Sequence, residues 1–412
     1  MIHFEKFKLK NNLTVIVHED KSTPLACVNI LYDVGARDED ESKTGFAHLF
    51  EHLMFGGSVN IPNYDEPLQM VGGENNAFTT NDITNYYCTV PAENIETAFW
   101  LESDRMLSLA FTDKSLEVQR NVVIEEFKQR YLNQPYGDVW LLLRPLAYKH
   151  HPYKWATIGK EISHIENATM DDVKSFFKLH YNPSSAIMVV AGNVELENVK
   201  RLAQKWFEPI DAGKKIERNL PKEPKQTEAR YLTVERDVPA DSIYKVFHMC
   251  SRRDKNYHTV DLISDILSRG NSSRLYNALV KDKQLFSEIS AYVMGDFDEG
   301  LFVISGKTCD GIKMEDAEKA IWEEIEKLKT NLVDEKELQK CKNKTESSIT
   351  FSETDVLNKA TNLAISELMG DAELINKEIQ NYQNVTIAGI QQQAKEILNE
   401  SNCSTLYYLK KK

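Results

Sequence analysis

The sequence predicts an α+β protein of two structurally related domains, each a mostly antiparallel sheet packed with helices. Three observations lead there. Strand-like and helix-like segments are mixed without a strict β-α-β alternation. The 412 residues exceed one ordinary core and suit two domains of roughly 200. A stretch from Asp211 to Glu228, polar, aperiodic and containing Pro221 and Pro224, interrupts the pattern. The expected division is therefore a domain over 1–212, a linker over 213–228 and a second domain over 229–412.

Alternation marks Leu13–Val17 as a strand, and Ala26–Tyr32 follows after the Pro24 break. A helix is expected from Thr44 to Phe55, with Thr44 as N-cap and Gly56-Gly57 as stop. Thr84–Val90 reads as a strand ended by Pro91, and helical patterns follow over 92–110, 113–133 and 169–180. Ala186–Ala191 is nearly all apolar, as a strand buried on both faces would be. Beyond the linker, strands are expected at 231–234, 243–247, 289–295, 300–308 and 405–408. Helices are expected at 257–268 and 272–283, and through much of 314–400.

The halves echo each other. Asn167-Ala168-Thr169-Met170 and Asn384-Val385-Thr386-Ile387 each open a helix that leads to a late strand, at nearly the same distance. Laying Leu53-Met54 over Ile266-Leu267 puts Asp261, Ser264 and Asp265 where His48, Glu51 and His52 stand.

Hydrophobic content of 42% and charged content of 27% fit a globular chain. A net charge of −13 argues against a broad nucleic-acid surface, and no apolar run reaches the length of a membrane span. The N-terminal residues lack a signal-peptide pattern, so a cytoplasmic setting is the default, or a periplasmic one if a leader has been removed. The six cysteines show no CxxC spacing and read as reduced thiols rather than a disulfide framework.

The chemistry concentrates in His48-Leu49-Phe50-Glu51-His52. Residues four apart share a helix face, so His48 and His52 can aim two imidazoles at one zinc ion. Glu51 lies on that side and is placed to act as general base toward an attacking water. Phe46, Leu49, Phe50, Leu53, Met54 and Phe55 surround the motif and make it a buried helix. Polar groups there need partners; a metal supplies them, and so would a structural hydrogen-bonded cluster. A catalytic zinc usually takes a third protein ligand. The best segment is Gln119–Phe127, where Glu126 shares a face with Gln119, Val122, Val123 and Arg130, while Glu125 points about 100° away. Periodicity alone leaves both glutamates open.

H-x-x-E-H followed by a second helix carrying Val123-Ile124-Glu125-Glu126 resembles the pitrilysin-like (M16, inverzincin) zinc metallopeptidases. Here 73 residues separate His52 from Glu126. Further matches are Gly72–Thr80, His151-Pro152-Tyr153, His180-Tyr181-Asn182-Pro183 and Ser272-Ser273-Arg274-Leu275, so the resemblance covers essentially the whole chain. It is to the short, two-domain branch that includes the mitochondrial processing peptidases.

The resemblance implies one Zn2+ per chain, held by His48, His52 and Glu126, with Glu51 as catalytic base. It places Asn76 and Ala77 on an edge strand that pairs with the substrate backbone, where the residues alone also allow Asn76 to be a turn residue after Gly72-Gly73. The chain would form half of a clamshell closed around an extended peptide by a second chain. The implied function is a zinc-dependent endopeptidase; the alternatives are a non-catalytic core or scaffold subunit, or a substrate-presenting subunit. Two positions depart from the family's pattern. Gln119 stands where an acidic residue is usual. Val280 and Ser287 stand where active relatives carry an Arg and a Tyr seven residues apart. That second departure implies a heterodimer in which a paralogue supplies the pair.

Overall fold

The computed structural model describes residues 1–411. The first half runs through strands β1 (Glu5–Lys8), β2 (Thr14–Glu19) and β3 (Leu25–Tyr32), then helices α1 (Phe46–Leu53) and α2 (Asp65–Met70). Strands β4 (Glu74–Thr79) and β5 (Thr84–Pro91) follow, then helices α3 (Ile95–Leu107) and α4 (Asp113–Phe127). Helices α5 (Val139–Ala147), α6 (Ile162–Glu166) and α7 (Met170–His180) lead to β6 (Ala186–Gly192) and α8 (Leu196–Trp206). The second half carries β7 (Arg230–Arg236), β8 (Ser242–His248), α9 (Tyr257–Ser268), β9 (Phe286–Met294) and β10 (Leu301–Thr308). It continues with α10 (Met314–Thr330), α11 (Glu335–Ser352), α12 (Val356–Met369), α13 (Leu374–Gln383), α14 (Ile387–Ile397) and β11 (Cys403–Lys410).

Among the described residues the strands form two sheets, ordered β1-β2-β6-β3-β5-β4 and β7-β11-β8-β10-β9. The fold is α+β, and the duplication is in the connectivity. If β1 is set aside, β2, β6, β3, β5 and β4 take the places of β7, β11, β8, β10 and β9. Each sheet has one parallel pair at equivalent positions, β2 with β6 and β7 with β11, and is otherwise antiparallel. The helices before the late strands start alike. Thr169 accepts from the Asp172 amide at 3.2 Å, and Thr386 from the Gly389 amide at 3.0 Å.

Two compact units result, and they are not contiguous in sequence. The first joins 1–128, 155–220 and 350–377; the second joins 129–154, 221–349 and 378–412. Thus α12, from the second half, lies against β3 and β6 of the first sheet, where Lys359 pairs with Asp20 at 2.5 Å. In exchange α5, from the first half, packs on β7, β8 and β11. There Val139, Leu143 and Ala147 share a core with Val246, Val303 and Leu406. The continuous boundary expected at 213–228 is corrected to this extent, because each sheet needs its face covered and the covering helix comes from the other half.

The 213–228 segment has no regular structure, as its composition predicts. It is nevertheless bound along its length. Arg218 pairs with Asp33 at 2.8 Å and Asp38 at 2.5 Å, and the Glu223 carboxylate accepts from the amides of Lys149, His150 and His151. The helix expected over 272–283 is present, as a π-helix over Tyr276–Asp282 entered through helical residues 274–275 and followed by Gln284, whose φ is +53°. No helix among the described residues is long and apolar enough to cross a membrane.

Candidate metal centre

Helix α1 begins two residues later than expected. Thr44 is not its cap: the hydroxyl contacts the His164 Nδ1 at 2.8 Å and accepts from the Lys160 amide at 2.7 Å. The N-cap is Gly45, at φ +87°, which has no side chain to offer. A Cβ there would sit 2.7 Å from the Ile158 carbonyl oxygen, so the close approach requires glycine. The cap comes instead from Glu39, which is buried. Its carboxylate accepts from the Gly45 amide at 2.9 Å and the Ala47 amide at 2.8 Å. Burial pushes the Glu39 carboxyl up to about 8, and the two amide donors act against that shift.

Phe46, Ala47, Leu49, Phe50 and Leu53 form the buried side of α1. The Phe50 ring lies 5.0 Å from Tyr181 and 5.1 Å from Phe176. With that side held, His48 and His52 turn toward α4, half-buried. The His48 and His52 Nε2 atoms stand 3.6 and 3.3 Å from Glu126 Oε2, and the three donor groups all lie within 4.8 Å of one another. Glu125 is turned away, exposed, and pairs with Lys128 at 2.7 Å. The geometry thus decides between the two glutamates that periodicity left open.

The three side chains fit a zinc ion. In a tetrahedron with bonds of about 2.1 Å, adjacent ligand atoms are about 3.4 Å apart, close to the spacings found here. Two imidazoles and one carboxylate form a ligand set that leaves a fourth position open. The fourth motif residue, Glu51, accepts a hydrogen bond from the Thr79 hydroxyl at 2.5 Å. Thr79 ends β4, which is the edge of its sheet and carries Asn76 and Ala77. Asn76 is therefore in a strand and not in a turn. Its own Oδ1 accepts the Ala77 amide proton at 2.9 Å.

The comparisons agree with this architecture. Residues 14–159 match the family model described as insulinase (peptidase family M16), and residues 167–345 match the model described as peptidase M16 inactive domain. A zinc protease of Helicobacter pylori, PqqE, is 34% identical over 82% of this chain and 77% of its own. The chain belongs to peptidase family M16. The crystal structure of a protease from H. pylori superposes with a TM-score of 0.93 at 30% identity, covering 99% of this chain and 100% of that one. The periplasmic protease PqqL of Escherichia coli superposes at 0.80 and 16% identity, with 98% of this M16 chain corresponding to 47% of the longer one.

Two residues that the sequence did not single out belong to the site. Thr79 lay within the Gly72–Thr80 stretch with no role of its own, and Glu39 lay in an acidic run, Asp38–Glu41, with nothing to distinguish it. Val280 packs against the second core, and the Ser287 hydroxyl donates to the Lys307 carbonyl at 3.2 Å. Nearby Arg274 is engaged by both carboxylate oxygens of Glu337, at 3.0 and 2.7 Å.

Proposed function

We propose that this M16 chain is a zinc-dependent endopeptidase acting on extended peptides, with one Zn2+ per chain held by His48, His52 and Glu126. The observation that carries the reading is the convergence of those three donor groups beside Glu51. Zinc bound there would supply Lewis acidity, polarising the scissile carbonyl and lowering the pKa of water toward neutrality. Glu51 takes the proton of the attacking water and returns it to the leaving amine; Thr79 holds one of its oxygens and so orients the other.

The substrate lies along β4. The free edge of a sheet offers main-chain donors and acceptors to an added strand. The Ala77 amide donates to the Asn76 Oδ1 at 2.9 Å, and a substrate carbonyl would compete for that donor. Val280 has no donor for the developing oxyanion and the Ser287 hydroxyl is spent on the Lys307 carbonyl at 3.2 Å; one such donor is typically worth about 3 kcal/mol. The pair is therefore assigned to a second, related chain that closes the chamber, giving a heterodimer.

The test is metal analysis alongside cleavage of a mixed peptide library, comparing the native chain with Glu51→Gln. Zinc retained and hydrolysis abolished is the expected result. Unchanged hydrolysis in the variant removes Glu51 from its role, and absence of bound zinc in the native protein defeats the reading.

A further inference from the structure

We infer that Glu39 is a positioning residue for the metal ligands: its buried carboxylate fixes the first turn of α1 and with it the approach of His48 and His52 to Glu126. The inference rests on the zinc reading above.

Helix α1 has eight residues, far too few to be stable alone. Its aromatic side is held by packing. The register of the start is set by hydrogen bonds to the amides of the first turn. Gly45 and Phe46 provide no cap of their own, and the acceptors come from six and eight residues upstream. Ala47, which donates to Glu39, directly precedes His48. A shift at that amide moves both imidazoles, since two turns separate the cap from the end of the helix.

The loop that carries Glu39 is itself fixed. The Gly35 amide donates to Asp38 at 3.0 Å, and Asp38 is held by Arg218 at 2.5 Å. The Ala36 amide donates to the Thr80 carbonyl at 3.1 Å and the Arg37 amide to the Asn81 carbonyl at 2.9 Å. Trp155 donates to the Ala36 carbonyl at 3.0 Å. Thr80 adjoins Thr79, the partner of Glu51. Residues 35–39 therefore tie the start of α1 and the end of β4 into one frame, which holds the ligands and the base together.

The experiment measures the zinc dissociation constant by chelator competition, together with the melting temperature of the metal-free protein, for wild type, E39A, E39Q and H48A. E39A is expected to weaken zinc binding by about 10–100-fold, the range for groups that orient ligands. E39Q keeps one acceptor and is expected to lose less. A merely structural role lowers the melting temperature and leaves the zinc constant of the folded protein unchanged; that result in both variants overturns the inference. Should E39A fail to fold, E39Q with wild-type affinity overturns it equally. If wild type itself takes up no more zinc than H48A, the zinc reading fails and this inference with it.

Discussion

Helices α1 and α4 in the first half and α9 and α11 in the second occupy corresponding places in the two sheets' connectivity, and among the described residues only the first pair brings together three groups that could hold a metal ion. On α9 the three counterpart positions are Asp261, Ser264 and Asp265. Each is satisfied by protein: Asp261 accepts from the Tyr382 hydroxyl at 2.6 Å, and Ser264 bonds back to the Asp261 carbonyl at 2.8 Å. Asp265 is paired with Arg269 at 2.8 Å and accepts from Thr345 of α11 at 3.1 Å. Where α4 brings a carboxylate, α11 brings hydroxyls, Thr345 to Asp265 and Ser348 to Arg269. Both halves bury polar groups at the same helix crossing, and each must satisfy them. The second closes its network with hydroxyl and guanidinium hydrogen bonds; the first turns two imidazoles and a carboxylate toward one another. The match of 167–345 to a model described as an inactive domain agrees with that contrast.

The sharpest way to break the comparison is to remove ligands from each pair. H52A or E126A is expected to abolish stoichiometric zinc, whereas D265A is expected to leave zinc content unchanged; atomic emission on dialysed protein decides. Next in size is E51Q, for which hydrolysis is expected to fall by roughly 10²–10⁴-fold with zinc retained, as for loss of a general base. A kcat within a factor of two of wild type would defeat that assignment.

A smaller effect concerns stability. His180, buried at the end of α7, is held down to about 4, chiefly by burial, with Asp38 opposing and Arg218 adding to the shift. Its Nδ1 has no partner among the described residues. Below pH 6.5 the unfolded chain takes up a proton that the folded one refuses. Stability is then full above pH 6.5 and falls as pH drops toward 4, by at most about 3 kcal/mol. H180N is expected to flatten this part of a denaturant-midpoint profile; an unaltered slope would exclude His180 as its source. D265A, by contrast, leaves the Thr345 hydroxyl and Arg269 without their shared acceptor, and should cost about 1–3 kcal/mol at neutral pH by urea titration. The smallest expectation is for N76A. It frees the Ala77 amide and should shift KM by no more than a few-fold, since about 1 kcal/mol is at stake. A large fall in kcat would instead place Asn76 in the chemistry.

Much of this was legible in one dimension. The i, i+4 imidazoles on an apolar helix, the Thr-capped helices before each late strand, and the α9 span of 257–268 follow from periodicity and capping, which are local. Periodicity separated Glu125 from Glu126 by about 100° but left both open, and the structure turns Glu126 toward the imidazoles and Glu125 outward. Other features depend on contacts between residues far apart in the chain. The exchange of α5 and α12 leaves no local trace, because either helix has an apolar face that any sheet would accept. The strand β4 is polar on an exposed edge and lacks the alternation that marks a half-buried strand.

The residue types and spacing of 48–52 by themselves determined that one helix carries two imidazoles and a carboxylate, and the repeated pattern determined that the chain is built twice. Only the tertiary structure decided which glutamate faces them, which hydroxyl holds Glu51, and that Glu39, one acid among four, caps the helix that bears the site. The reason is physical: helix periodicity sets direction within a few residues, but a carboxylate's partner is whatever the packed chain brings within about 3 Å.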